Sequence, residues 1–284
     1  MRVFVTGATG YIGRVLVERM RDLGHQALGL ARSDASARKL EAAGVQSVRG
    51  DLRDTSVIAR AARECDATVH LAMEFSAPDA AQLDRALVET VLEEYRLTAR
   101  PFLYTSGIWV LGDTGGAEAD EESPIHPIPL AAERAVHEQL VLRARGARGI
   151  VIRPGMVYGR GGGMPDDFAR QAREQGVVRM VGPGTNRWPL VDVDDLADLY
   201  VLALGAPAGS LYFAAVGPSI AVREIAAAKS NGVPVESIPE DQARQKFGPL
   251  VDGLMLDQQV TAKKAMRELG WNPKAAPVTG SAPS

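Results

Sequence analysis

The 284-residue chain has one cysteine, Cys65, four histidines and only 5% aromatic residues. A lone thiol cannot close an internal disulfide, and its scarcity fits a reducing compartment. At its place between a helix and a strand, Cys65 reads as core rather than nucleophile. The histidines, His25, His70, His126 and His137, stand at no metal-ligand spacing with carboxylates or with Cys65, so no metal site is expected. Excess charge is also missing. With 32 basic and 35 acidic residues the net charge is −3, which removes the electrostatic case for nucleic acid or an anionic membrane. No apolar run approaches the roughly 20 residues of a membrane span, and the N-terminus enters a strand at once, with no signal peptide ahead of it. The expectation is a cytoplasmic protein whose partners are small molecules.

What is present begins at residue 3. Val3-Phe4-Val5 is an apolar run, Thr6 to Gly13 hold glycines at 7, 10 and 13, and Ile12, Leu16, Met20 and Leu23 recur at helical spacing. Strand, glycine turn and helix in that order suit a dinucleotide. The glycines let the chain reverse and the backbone approach a pyrophosphate, which rests on N–H groups at the helix N-terminus. Gly7, Thr9, Gly10, Tyr11, Ile12 and Gly13 are the cofactor candidates of this turn.

Strand and helix signals then alternate through the first half, which predicts an α/β fold with a doubly wound parallel sheet. Expected strands run at Gln26–Leu30, Val45–Arg49, Ala67–Leu71, Phe102–Ser106 and Ile150–Arg153, with helices Thr55–Arg63 and Ala80–Leu97 between them. The second strand ends at Arg32 and Ser33 rather than at an acid. An acid there would bind the ribose 2′-hydroxyl of NAD, whereas arginine accommodates the extra phosphate, so NADPH is the expected cofactor. After the third strand, Asp51 and Leu52 lie where ligands bind; Asp51 suits either the adenine amine or the cap of the helix that follows. His70, inside an apolar strand, reads as a satisfied core histidine.

Further on, residues 159–165 are too glycine-rich for regular structure and read as a mobile lid. Asp194 and Asp195 are expected to cap a helix Leu196–Leu204. The composition after about residue 272 predicts a disordered tail. Domain limits follow as 1–155 for the cofactor, with 186–204 returning to it, and a smaller C-terminal substrate lobe, 156–284.

With the glycine turn, Gly50-Asp51-Leu52, His70-Leu71-Ala72, Tyr104-Thr105-Ser106, Arg153 to Gly159 and Trp188 to Leu196 on the page, the chain resembles the extended short-chain dehydrogenase/reductase superfamily, in its atypical branch, over roughly residues 1–204. The resemblance implies a Rossmann-type fold with NAD(P) across the strand ends. It adds Leu71, Ala72, Met73, Thr105, Arg134, Pro154 and Met156 to the cofactor candidates, and implies a homodimer. It also implies a Ser/Thr, a Tyr and a Lys that move the proton, the tyrosine's pKa being lowered by the lysine and the cofactor. All three are replaced: Gly107 stands for the Ser/Thr, Leu130 for the tyrosine and Arg134 for the lysine. Arginine does not titrate at neutral pH, although it can hold a ribose hydroxyl. Asp192 stands where relatives carry histidine, and no role for it follows from the sequence.

Three readings stay open. One is a cofactor-binding sensor without turnover. Another is a nucleotide-sugar epimerase or dehydratase, ranked last because it needs the tyrosine to deprotonate a sugar hydroxyl. The third is reduction of an aromatic polyketide ketone whose own phenol stabilises the developing alkoxide. Met73, Phe75, Trp109, Met156, Tyr158, Met164 and Trp188 favour a flat apolar substrate over a sugar nucleotide, and the pattern resembles the tyrosine-less ketoreductases of angucyclinone tailoring. Ser106 and Tyr158 are the side-chain hydroxyls available to steady the carbonyl oxygen.

Overall fold

The computed structural model describes residues 1–74 and 77–279. The first half alternates as the sequence predicts: β1 (Arg2–Thr6), α1 (Tyr11–Asp22), β2 (Gln26–Ala31), α2 (Asp34–Ala42), β3 (Gln46–Arg49), α3 (Thr55–Arg63), β4 (Ala67–His70), α4 (Ala80–Tyr95) and β5 (Pro101–Thr105). There follow β6 (Glu118–Ala119), α5 (Ala132–Leu142), β7 (Arg148–Pro154), β8 (Met156–Tyr158), α6 (Met164–Gln175), β9 (Val178–Val181), β10 (Arg187–Trp188), β11 (Leu190–Asp192), α7 (Val193–Ala203) and β12 (Ser210–Ala214). Shorter helices and strands continue to α11 (Lys263–Leu269).

Seven strands form one parallel sheet in the order β12-β7-β5-β4-β1-β2-β3, a Rossmann-like arrangement. The order reverses at β1: β2 and β3 lie to one side and β4 to the other. Register places Val5 opposite Gly29 on β2 and Val69 on β4. Ligands bind such sheets at the carboxyl ends beside the reversal. Among the described residues no helix is long and apolar enough to cross a membrane.

The chain divides into two compact units, 1–106 with 133–152 and 197–211, and 107–132 with 153–196 and 212–284. Residues 107–132 thus group with the second unit rather than with the first 155 residues, and the returning segment is 197–211 rather than 186–204.

Inside the first unit the buried polar groups include a cluster around Asp84. The Asp84 carboxylate, on the otherwise apolar face of α4, accepts from Tyr104 Oη at 2.5 Å, His137 Nδ1 at 2.6 Å and His70 Nε2 at 2.7 Å. His70 Nδ1 meets Thr6 Oγ1 at 2.6 Å, so the chain of contacts runs from α4 to the end of β1. His70 is a satisfied core histidine, as expected. Burial opposes the charge on Asp84, but the hydrogen bonds from His137, His70 and Tyr104 outweigh it and hold the carboxyl well below the usual carboxylate range. Cys65 is buried, which pushes its thiol up to about 11 and leaves no thiolate at neutral pH.

Since the folded state holds Asp84 ionised below its unfolded pKa of about 3.9, its contribution is full above that pH and is lost as the pH falls further. Asp84→Asn turns an amide N–H toward three donors and is expected to destabilise the fold by about 3–5 kcal/mol. Urea unfolding at pH 7 measures this, and a loss smaller by about 1 kcal/mol at pH 3 checks the sign.

Candidate functional site

The glycine turn after β1 is shaped by backbone contact. Gly7 has φ +71°, and a Cβ there would lie 2.8 Å from Ala72 N; a Cβ on Gly13 would collide with the Gly7 carbonyl. Only glycine fits at either position. Gly10 N donates to Gly7 O at 2.9 Å, closing the reversal, and α1 starts at Tyr11. No side chain caps α1 and no acid stands in its first turn. Thr9 and Gly10 are exposed, so the positive end of the helix dipole is available to an anion. The Thr6 hydroxyl accepts from Ala72 N at 3.4 Å and Leu71 N donates to Thr6 O at 3.2 Å. These bonds set the Leu71-Ala72-Met73 segment against the turn.

The adenosine side differs from expectation in three ways. Arg32 is not a free cation: its Nη1 donates to Glu74 Oε1 at 2.7 Å. Ser33 is the N-cap of α2, its Oγ accepting from Ser36 N at 3.1 Å, so its hydroxyl is committed to the helix. Asp51 does not cap α3; it accepts from Arg53 N at 2.7 Å, and Asp54 is the N-cap residue. The turn between β3 and α3 places the N-cap three residues beyond Asp51 and the helix start four. Leu52 is buried.

At the end of β5 the Arg134 guanidinium donates through Nη1 to Thr105 O at 2.7 Å and Ser106 O at 3.2 Å. Where a ribose contact was expected for Arg134, it braces main-chain carbonyls. Thr105 Oγ1 pairs with Tyr200 Oη at 2.7 Å. Ser106 Oγ is buried without a hydrogen-bond partner among the described residues, which is costly unless a ligand supplies one. This orphan hydroxyl, the uncapped α1 and Arg32 fit a nicotinamide dinucleotide along the carboxyl edge. Gly107 is extended, with φ −176°, and a Cβ there would meet nothing within 4 Å. Leu130 is 44% exposed. Neither position excludes a hydroxyl by crowding.

In the second unit, Met156, Tyr158 and Trp188 are buried in one core cluster with Phe168, against which Trp109 and Met164 pack. Trp188 stacks on Phe168 at 6.2 Å between ring centroids and donates its indole N–H to Leu254 O at 3.1 Å. These residues, expected to line a substrate slot, lie in or against this unit's own core cluster. Phe75 lies outside the described residues. Pro154 ends β7, and Met156 N donates to Pro189 O at 2.7 Å.

Residues 159–165, expected as a mobile lid, form a closed turn at 159–163 and then the first residues of α6. Gly162 N donates to Gly159 O at 3.0 Å and Gly159 N to Asp166 Oδ2 at 3.0 Å. Helix α7 begins at Val193, earlier than expected, with Asp192 Oδ1 accepting from Asp194 N at 2.8 Å. Asp192, rather than Asp194 or Asp195, therefore serves the helix start. Asp194 pairs with Arg160 at 2.6 Å.

Asp195 is buried and accepts from Lys274 N at 2.7 Å and Ala275 N at 3.0 Å, while its carbonyl accepts from the Trp271 indole N–H at 2.8 Å. The tail is therefore held through at least Ala276, against the expectation of disorder after 272. Ala276 O accepts from the Tyr158 hydroxyl at 3.1 Å, which commits the phenol to main chain. Burial, and then the charges of Asp192, Asp195 and Asp166, push that phenol up to about 12.

The sequence reading missed Asp84, Tyr104 and His137 as a cluster, and Glu74 and Asp195 as anchors. For Asp84 a signal existed: it lies in helical register with Leu87, Val88, Val91 and Tyr95, an acid on an apolar stripe. The other partnerships join residues far apart in sequence.

Compared with known proteins, the chain matches the NAD dependent epimerase/dehydratase family over residues 3–212. It is 36% identical to an uncharacterized protein of Schizosaccharomyces pombe, over 96% of this chain and 95% of that one. It is also 35% identical to the 4-hydroxy-2-methyl-3-oxo-4-farnesyl-3,4-dihydroquinoline-1-oxide ketoreductase of Stigmatella aurantiaca, over 56% of this chain and 51% of that protein. Among solved structures it resembles the dTDP-glucose 4,6-dehydratase of Streptomyces venezuelae, determined with NAD bound, at TM-score 0.83 and 23% identity, covering 99% of this chain and 94% of the other.

Removing the Asp195 carboxylate leaves two main-chain donors of the tail without their acceptor. Asp195→Ala is expected to destabilise the protein by about 1–3 kcal/mol and to open residues 274–279 to carboxypeptidase. Denaturant unfolding and mass spectrometry of the digested C-terminus read the two effects.

Proposed function

The chain belongs to the NAD dependent epimerase/dehydratase family, and we propose that it is an NADPH-dependent ketoreductase. Its substrate in this reading is a bulky aromatic ketone of the polyketide or angucyclinone kind, reduced in antibiotic biosynthesis without the Tyr/Lys pair. One observation carries the reading: the Ser106 hydroxyl at the end of β5 is buried without a hydrogen-bond partner among the described residues, in the same unit as the open glycine turn and Arg32, and can meet a substrate carbonyl. The Stigmatella relative, named as a ketoreductase of a quinoline derivative, supports ketone reduction over sugar chemistry.

When bound, the nicotinamide supplies the hydride. Gly7, Gly10 and the start of α1 would hold the pyrophosphate and Arg32 the 2′-phosphate, while Arg134 holds the Thr105 and Ser106 carbonyls. Ser106 offers one hydrogen bond and no titrating proton. A substrate carbonyl already hydrogen-bonded to its neighbouring phenol needs no enzymic acid, so orientation is what the chain contributes. The missing acid–base pair equally favours a cofactor-binding sensor, and it disfavours epimerisation of an unactivated hydroxyl.

The test is NADPH absorbance at the nicotinamide band with a panel of aromatic polyketide ketones and nucleotide sugars. Oxidation is expected with the ketones alone. Tyr158→Phe is expected to stay within about twofold of wild type, since its phenol is held by the tail, whereas Ser106→Ala should lower kcat by about tenfold or less. Cofactor binding with no turnover on either class would overturn the reductase in favour of the sensor.

A further inference from the structure

Glu74 is assigned no part by the dinucleotide reading, yet its position bears on which dinucleotide binds. It follows β4 by four residues and takes the Arg32 guanidinium at 2.7 Å. Arg32 directly follows β2, and the sheet order at this point is β4-β1-β2. The ion pair therefore joins the ends of two strands that flank β1, above the strand from which the glycine turn departs.

The other charged and polar groups at the end of β2 are engaged with one another. Ser33 caps α2 through Ser36 N. Asp34, in the first turn of α2, has Arg49 Nη2 at 3.4 Å. Discrimination at the 2′ position of a ribose thus falls on Arg32, and Arg32 already has a carboxylate. The arginine is two-thirds exposed and the glutamate about one quarter, so the pair is weakly bound and exchangeable. A phosphate dianion beside the same guanidinium is the stronger partner, with charge-assisted and bidentate geometry open to it. Glu74 would then stand next to that dianion as a like charge.

We propose that Glu74 is a specificity-determining residue, an internal competitor for Arg32 that restrains the preference for the 2′-phosphate and lets NADH bind beside NADPH. The proposal rests on the dinucleotide reading above. Glu74 neutralises Arg32; NADPH must displace it, whereas the 2′-hydroxyl of NADH leaves the pair intact and can donate to the carboxylate.

The test is the dissociation constants of NADPH and NADH, by quenching of protein fluorescence at low ionic strength, for the wild type, Glu74→Gln, Arg32→Gln and the double variant. The wild type is expected to bind both. Glu74→Gln is expected to tighten NADPH about tenfold while moving NADH less than about twofold. Arg32→Gln is expected to weaken NADPH about tenfold, and on that background Glu74→Gln should regain only about threefold, since direct repulsion alone is then relieved. An NADPH/NADH ratio unmoved by Glu74→Gln, with both cofactors still bound, overturns this inference alone. If neither cofactor titrates the wild type, the dinucleotide reading fails and takes the inference with it.

Discussion

The closeness of Gly13 to the Gly7 carbonyl is the constraint from which the first unit's site follows. Helix α1 can lie against the end of β1 only because no Cβ intervenes, and that packing aims an uncapped helix start at the sheet's carboxyl edge. The same turn is clamped from the other side, where Gly7 leaves room for the Ala72 backbone and for nothing larger. Two strand ends, β1 and β4, thus meet by close main-chain contact, to which the Thr6 hydroxyl adds its bonds to His70 and Ala72. A contact of this kind has no softer version: a methyl group at either glycine must move backbone.

The Asp84 cluster continues that order into the core. A buried carboxylate without partners would be expensive, and three donors offset its desolvation while each of them is oriented in return. Tyr104 is tied to α4, His137 ties α5 to α4, and His70 passes the link to Thr6, whose hydroxyl accepts from Ala72 N. With Asp84 ionised, the imidazole nitrogens facing it carry protons and donate to it. The glycine turn thus rests on a polar chain that ends in an anion, and its geometry is coupled to helices remote from it in sequence.

What could be read from the sequence was what sequence neighbours determine. The alternation of β1 to β5 with α1 to α4, the start at Thr55 and end at Arg63 of α3, and the glycine turn all rest on periodicity and on residues within a few positions of one another. The site's electrostatics rest on pairs 42, 53 and 80 residues apart, Arg32–Glu74, His137–Asp84 and Ala275–Asp195, which no local pattern records. The tail shows the limit most clearly. KAAPV reads as disordered because it has little apolar area of its own, but its order comes from the Asp195 carboxylate and the Tyr158 phenol, supplied by elements more than 70 residues earlier. Aromatic residues misled for the opposite reason: composition says that Trp188 and Tyr158 are large and amphipathic, not whether a ligand or Phe168 covers them.

The departures from the family's acid–base residues can be separated from any demand of packing. Gly107 has no φ that requires glycine and has open space where a side chain would stand; Leu130 is exposed, where an apolar side chain gains little. Nothing in the fold compels the loss of either hydroxyl. Arg134 is different. Its guanidinium holds two consecutive carbonyls at the end of β5, a forked, permanently charged contact that a lysine would make less well. The position has exchanged a group able to lower a neighbour's pKa for one that stiffens the strand end carrying Ser106. In the proposed reductase such a site orients the reactants rather than moving protons by side chains, a combination that a substrate with its own internal hydrogen bond can use.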